Sequence, residues 1–72
     1  MDVVYVNIKK RRKDLHMTQM ELAEKCGYKD HTTINAIEHG RTDITLKRLH
    51  QIAAALDTTV AALFGLEDQH DR

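Results

Sequence analysis

Residues 31–36 read H-T-T-I-N-A. A helix turns once in roughly 3.6 residues, so His31, Thr32, Asn35 and Ala36 would share its outer face while Ile34 and Ile37 anchor it inside. A helix that reads base-pair edges in a groove needs short or flexible polar groups near its N terminus. His31, Thr32, Thr33 and Asn35 fit that need. Asn pairs bidentately with adenine, Thr donates, accepts or touches a thymine methyl, and His donates to a guanine edge. An ordinary solvated helix face carries the same residues, so alone they leave the question open. Thr33 has two further uses: bonding locally near the helix start, or reaching a phosphate.

Other polar residues suit a phosphate. Gln19 begins a helix, where its amide and the free backbone N–H groups sit at the positive helix end. Lys29 lies in the turn before His31. Lys9, Lys10, Arg11 and Lys13 could add charge, although a charge run is usually a solvated face. Met20, on the outer face of the same helix as Gln19, touches a sugar or stands in water. Cys26, His31 and His39 invite a metal reading, but their spacing matches no usual zinc pattern and helix geometry sends Cys26 inward and His31 outward. Cys26 reads as small core filler, and no metal is expected. No Ser/His/Asp set, paired carboxylates or glycine-rich phosphate loop occurs, so no enzyme, cofactor or small-molecule ligand is expected.

The elements that would position these groups are helical. Thr18 and Glu21 form a capping box, T-x-x-E, that starts a helix over residues 19–26 with Leu22, Ala23 and Cys26 inward. Gly27 sits where a left-handed residue stops a helix. Asp30 caps a following helix over residues 31–39, which Gly40 ends. Thr45 caps a fourth helix whose inner stripe is Leu46, Leu49, Ile52, Ala53 and Leu56. Thr59 caps a short fifth with Val60, Leu63 and Phe64 inward, stopped by Gly65. Upstream, Ile8, Arg11 or Arg12, and Leu15 share one helix face, and His16 and Met17 connect to Thr18. Residues 1–7 are ambiguous. Val3, Val4, Tyr5 and Val6 favour a strand by propensity, but a lone strand has no partner, so helix 1 is extended back to about Val4. After Leu66 the tail is polar and expected to fray.

Seventy-two residues make one small domain, here 1–72, with a modest core. No proline and only three glycines occur, and β-branched residues are too scattered for several strands, which favours an all-α fold. One cysteine excludes an internal disulfide; a small domain without such staples suits the cytoplasm. No apolar run approaches the ~20 residues of a membrane span, and the N terminus lacks the pattern of a signal peptide. Formal net charge is zero, yet residues 1–64 carry ten Lys/Arg against eight Asp/Glu, hence +2, and Glu67, Asp68 and Asp71 against Arg72 give the tail −2. A local basic patch can still attract phosphate.

Several spaced motifs now line up: Ile8-x-x-x-Arg12, Met17-Thr18-Gln19-x-x-Leu22-Ala23, Gly27, Ile34-x-x-Ile37-Glu38-x-Gly40, Leu46-x-x-Leu49 and Ile52-Ala53-x-Ala55-Leu56. In this order the chain resembles the phage-repressor/Cro-type (Xre-like) helix-turn-helix transcriptional regulators, over residues 8–64. The resemblance implies a compact five-helix, lambda-repressor-like fold with helices 2 and 3 as the DNA-binding unit. It puts His31, Thr32 and Ala36 on positions that reach bases, with Asn35 beside them. Gln19, Arg41 and Thr42 fall where the family touches backbone phosphate. Arg12 and Glu38 fall on positions the family often pairs, tying helix 1 to the end of helix 3. Two departures stand out. His16 replaces a frequent glycine, and six residues separate Gly27 from Ile34 where the commonest pattern has five.

The expected function is sequence-specific binding of double-stranded DNA by a homodimer on a two-fold operator, as a repressor or autoregulator. Dimerisation is expected because one recognition helix makes few contacts. Val60, Leu63, Phe64 and Leu66 are the expected dimer surface, with residues 3–6 as rival. With so few residues after helix 5, no effector domain is expected, and control is expected to come from concentration, a partner protein or operator layout. The alternative is a helical protein-interaction module, or an antitoxin-like partner protein, with weak or no DNA binding; neutral charge and Ala36 on the reading face favour it mildly.

Overall fold

The computed structural model describes residues 2–66. Five helices follow one another: α1 (Asp2–Asp14), α2 (Gln19–Cys26), α3 (Thr32–Glu38), α4 (Leu46–Ala55) and α5 (Val60–Leu63). The expected tail, residues 67–72, lies outside the described residues. No helix among them is long and apolar enough to cross a membrane.

The helix starts follow side-chain chemistry. The Thr18 hydroxyl accepts the Glu21 N–H at 3.0 Å while the Glu21 carboxylate accepts the Thr18 N–H at 2.7 Å. Thr45 and Thr59 cap α4 and α5 by accepting the Arg48 and Ala62 N–H groups. Each hydroxyl satisfies a backbone donor that has no partner within the helix. Met17 and Ile44 directly precede two of these caps and pack against the core that holds Leu22 and Leu49, as in a hydrophobic staple. The chain therefore enters α4 with Ile44 turned inward. Leu46, expected on the inner stripe, is 63% exposed instead.

The helix ends are equally uniform. Met17, Tyr28, Arg41, Thr58 and Leu66 each donate a backbone N–H to the carbonyl five residues earlier. The residue before each donor is left-handed: His16, Gly27, Gly40, Asp57 and Gly65. This is the Schellman closure, which favours glycine because a Cβ is strained there. The family's frequent glycine at position 16 now has a physical reason, since His16 has a φ of 56°.

Val4, Ile8, Leu22, Ile34, Leu49, Ile52 and Leu56 are the largest fully buried side chains. Helix α2 packs on α3 and α4, and α1 packs on α3 and α5. Helix α1 reaches back to Asp2, two residues before the expected start, because Val4 and Ile8 stand one turn apart and both fill this core. Burial overrides the strand propensity of the valines. Val3 and Val6 remain exposed. Leu15, expected inward, is also exposed: α1 stops at Asp14, and Arg12 takes the inner position one turn after Ile8.

Candidate nucleic-acid interface

Helix α3 spans Thr32–Glu38, one residue shorter at each end than expected, with His31 and His39 as its flanking caps. Residues 27–31 connect it to α2. Asp30 sets its start. The Asp30 carboxylate accepts the Thr32 N–H at 3.0 Å and also the Thr32 hydroxyl. These bonds, the hydroxyl's first, hold the Asp30 carboxyl below the usual range. At the other end, Gly40 lies under the Tyr5 ring, where an added Cβ would stand 3.2 Å from a ring carbon. A bare glycine is thus favoured twice over, by φ and by space.

Ile34 and Ile37 are buried, so the opposite side of α3 faces outward. His31 and Thr32 are exposed; Thr33, Asn35 and Ala36 are half-buried. Lys29, Arg41 and Thr42 are all exposed. The Thr42 hydroxyl donates to the Asp43 carbonyl at 3.4 Å, and His39 Nδ1 lies 2.8 Å from the Asn35 carbonyl.

Beneath this face sits a buried polar group. Arg12 Nε donates to Glu38 Oε2 at 2.6 Å, and Arg12 Nη2 donates to Glu38 Oε1 at 3.1 Å. The two side chains are 9% and 1% exposed. Arg12 Nη1 donates to the Met17 carbonyl at 2.7 Å. Gln19 Nε2 donates to Glu38 Oε1 at 3.1 Å. One carboxylate thus joins α1, the start of α2 and the end of α3, and the guanidinium adds the loop between α1 and α2. A bidentate pair of this kind has little freedom to rotate, so it fixes the end of α3 on α1, and the Gln19 bond ties the head of α2 to the same carboxylate.

Three contacts had no local signal in the sequence. Arg11, a candidate for free charge, donates to the Leu56 carbonyl at 2.9 Å and the Asp57 carbonyl at 3.2 Å, closing the end of α4. Asn7 donates to the Leu63 carbonyl at 2.8 Å and closes α5. Arg48 stacks over the Tyr28 ring at 5.1 Å, bracing the turn before α3 against α4. All three join residues far apart in the chain. Cys26 is half-buried against the core, and burial pushes its thiol up despite the nearby charge of Arg48. Of the expected dimer residues, Leu63 is 2% exposed and lies in the protomer's own core, so it offers no surface; Val60 and Phe64 are half-buried and Leu66 is 80% exposed.

Comparison with known proteins agrees with this geometry. A helix-turn-helix family model matches residues 8–63. Among curated proteins none matches. A solved structure, described as a hypothetical transcription factor, NHTF, from Neisseria, is similar with a TM-score of 0.79 and 33% sequence identity. The likeness covers 97% of this chain and 77% of that one. The chain belongs to the helix-turn-helix family of the phage-repressor (Xre-like) type, a family of DNA-binding regulators.

Proposed function

We propose that this chain is a sequence-specific regulator that binds double-stranded DNA as a homodimer on a two-fold operator, acting in the cytoplasm as a repressor or autoregulator. The observation that carries the proposal is the exposed polar start of α3, a helix tied to α1 by the buried Arg12–Glu38 pair and to the head of α2 by the half-buried Gln19. His31, Thr32, Asn35 and Ala36 are the base-reading residues in this proposal. Gln19, Lys29, Thr33, Arg41 and Thr42 hold phosphates on either side. The half-buried Val60 and Phe64 and the exposed Leu66 supply the dimer surface, with Val3 and Val6 as the competing patch.

The division of labour is testable with operator and random duplexes. Thr32→Ala and Asn35→Ala change the preference among operators more than the affinity for random DNA. Arg41→Ala weakens both and lowers the salt slope by about 0.9 for one lost phosphate contact. Loss of base preference alone in Arg41→Ala would overturn the assignment.

A second reading, a helical module that binds protein, draws support from zero net charge and from Leu46 at 63% exposure. Such a module retains no duplex at low salt, where a DNA binder is held most tightly.

A further inference from the structure

We infer that Glu38 is a positioning residue for DNA binding, acting through Gln19, and that the buried ion pair sets phosphate affinity as well as holding the fold. The inference rests on the DNA-binding reading above and extends it to a group no phosphate can touch. The Glu38 side chain is 1% exposed, and its Oε1 accepts both Arg12 Nη2 and Gln19 Nε2. A carboxylate accepts only, so it selects the amino end of the Gln19 amide and turns the carbonyl oxygen away. Gln19 is half-buried at the first turn of α2. Its amide nitrogen carries two hydrogens, and one is committed to Glu38. The second remains for an acceptor, and an amide locked in this orientation meets a phosphate oxygen without first losing rotamer freedom.

Arg12 completes the device. An unpaired carboxylate directly behind Gln19 would repel a phosphate. The bidentate Arg12 contact cancels that charge, so Glu38 orients the donor without adding a net negative field. The same pair that fixes α3 on α1 therefore aims the donor at the head of α2. If Gln19 were free of Glu38, its contribution to binding would not depend on the ion pair.

A double-mutant cycle read on DNA affinity tests this. Gln19→Met keeps side-chain length and removes the donor. In the wild-type background it is expected to weaken binding to a mixed duplex at low salt by about tenfold, the scale of one hydrogen bond to a charged group. In an Arg12→Met/Glu38→Leu background, apolar and of similar volume, binding is already weaker by about that factor. There, Gln19→Met makes no further difference. An equal loss from Gln19→Met in both backgrounds would overturn the inference. Circular dichroism melts report whether the paired replacement folds. If it does not, the Gln19 side-chain amide is followed by NMR in the wild type. The two protons of any glutamine amide are resolved because the C–N bond resists rotation, so the readout is their shift and exchange. Values displaced from those of a free glutamine, slow exchange with water and a further shift on adding duplex support positioning; free-glutamine shifts with solvent-like exchange overturn it. Failure of the wild-type chain to bind duplex at all overturns the DNA reading itself, whereas binding without coupling overturns only the role of Glu38.

Discussion

Arg12 and Glu38 show how burial changes the meaning of a charge. On a surface such a pair contributes little. Here both side chains are nearly enclosed and each of the three guanidinium nitrogens of Arg12 donates to an oxygen: two on Glu38 and one on Met17. Removing one partner strands the other charge in the interior. Arg12→Ala or Glu38→Ala is therefore expected to cost about 3–5 kcal/mol in urea unfolding, while the apolar replacement Arg12→Met/Glu38→Leu costs far less. Additive single and double effects would end the claim of coupling. A milder expectation concerns acid. The Thr32 hydroxyl and N–H lower the Asp30 carboxyl, and the Thr18 N–H and hydroxyl lower that of Glu21. Folding therefore favours their ionised forms. The stability this gives is present above the unfolded carboxyl values and is lost as pH falls through the lower folded ones. Asp30→Asn keeps an acceptor oxygen for Thr32 but no longer titrates. Its melting temperature should fall less steeply than the wild type's as pH drops below about 4; an identical slope would remove Asp30 from the acid response.

At the scale of elements, the helix ends carry the most direct test. His16 occupies a left-handed position at the end of α1. His16→Gly should raise stability by about 0.5–1 kcal/mol, the left-handed strain removed less glycine's added chain entropy. Gly40→Ala should lower it by about 1–2 kcal/mol or more, because the new methyl meets both the positive φ and the Tyr5 ring at 3.2 Å. Denaturant midpoints of the two variants, moving in opposite directions, would check the account. The same contrast explains what could be read in advance. Caps at Thr18, Thr45 and Thr59 and stops at Gly27, Gly40 and Gly65 are decided within a few residues, so their types and spacing reveal them. The start of α1 is decided by Val4 and Ile8 filling a distant core, which local propensity misjudges. Leu46 fails for a related reason: periodicity gives its angle on α4 but not that Ile44 covers the core first. Asn7, Arg11 and the Tyr28–Arg48 stack bind carbonyls or rings far along the chain, and no short window contains both partners. At the candidate site, the outward polar face was legible from spacing, and the Arg12–Glu38 pairing from family resemblance. The bond from Gln19 to Glu38 was not, because it depends on the angle between two helices.

For the whole molecule, it is the distribution of charge, not its sum, that would bring a neutral chain to a charged ligand. The exposed Lys29, Arg41 and Thr42 flank α3, whose last residue, Glu38, belongs to the buried ion pair. Helix α1 packs on α3 and closes α4 and α5 through Arg11 and Asn7, so it joins the reading unit to the rest of the fold. Dimerisation through Leu66, Phe64 and Val60 would bring two such units to one operator, and Leu66→Lys is expected to shift light scattering from dimer to monomer and weaken operator binding. The most direct test of the central claim is affinity for mixed-sequence duplex DNA at several salt concentrations. A DNA-binding regulator of this kind binds measurably at low salt, with a linear fall in log K with log salt of roughly 0.9 per phosphate contacted. Flat, negligible binding even at low salt would contradict it.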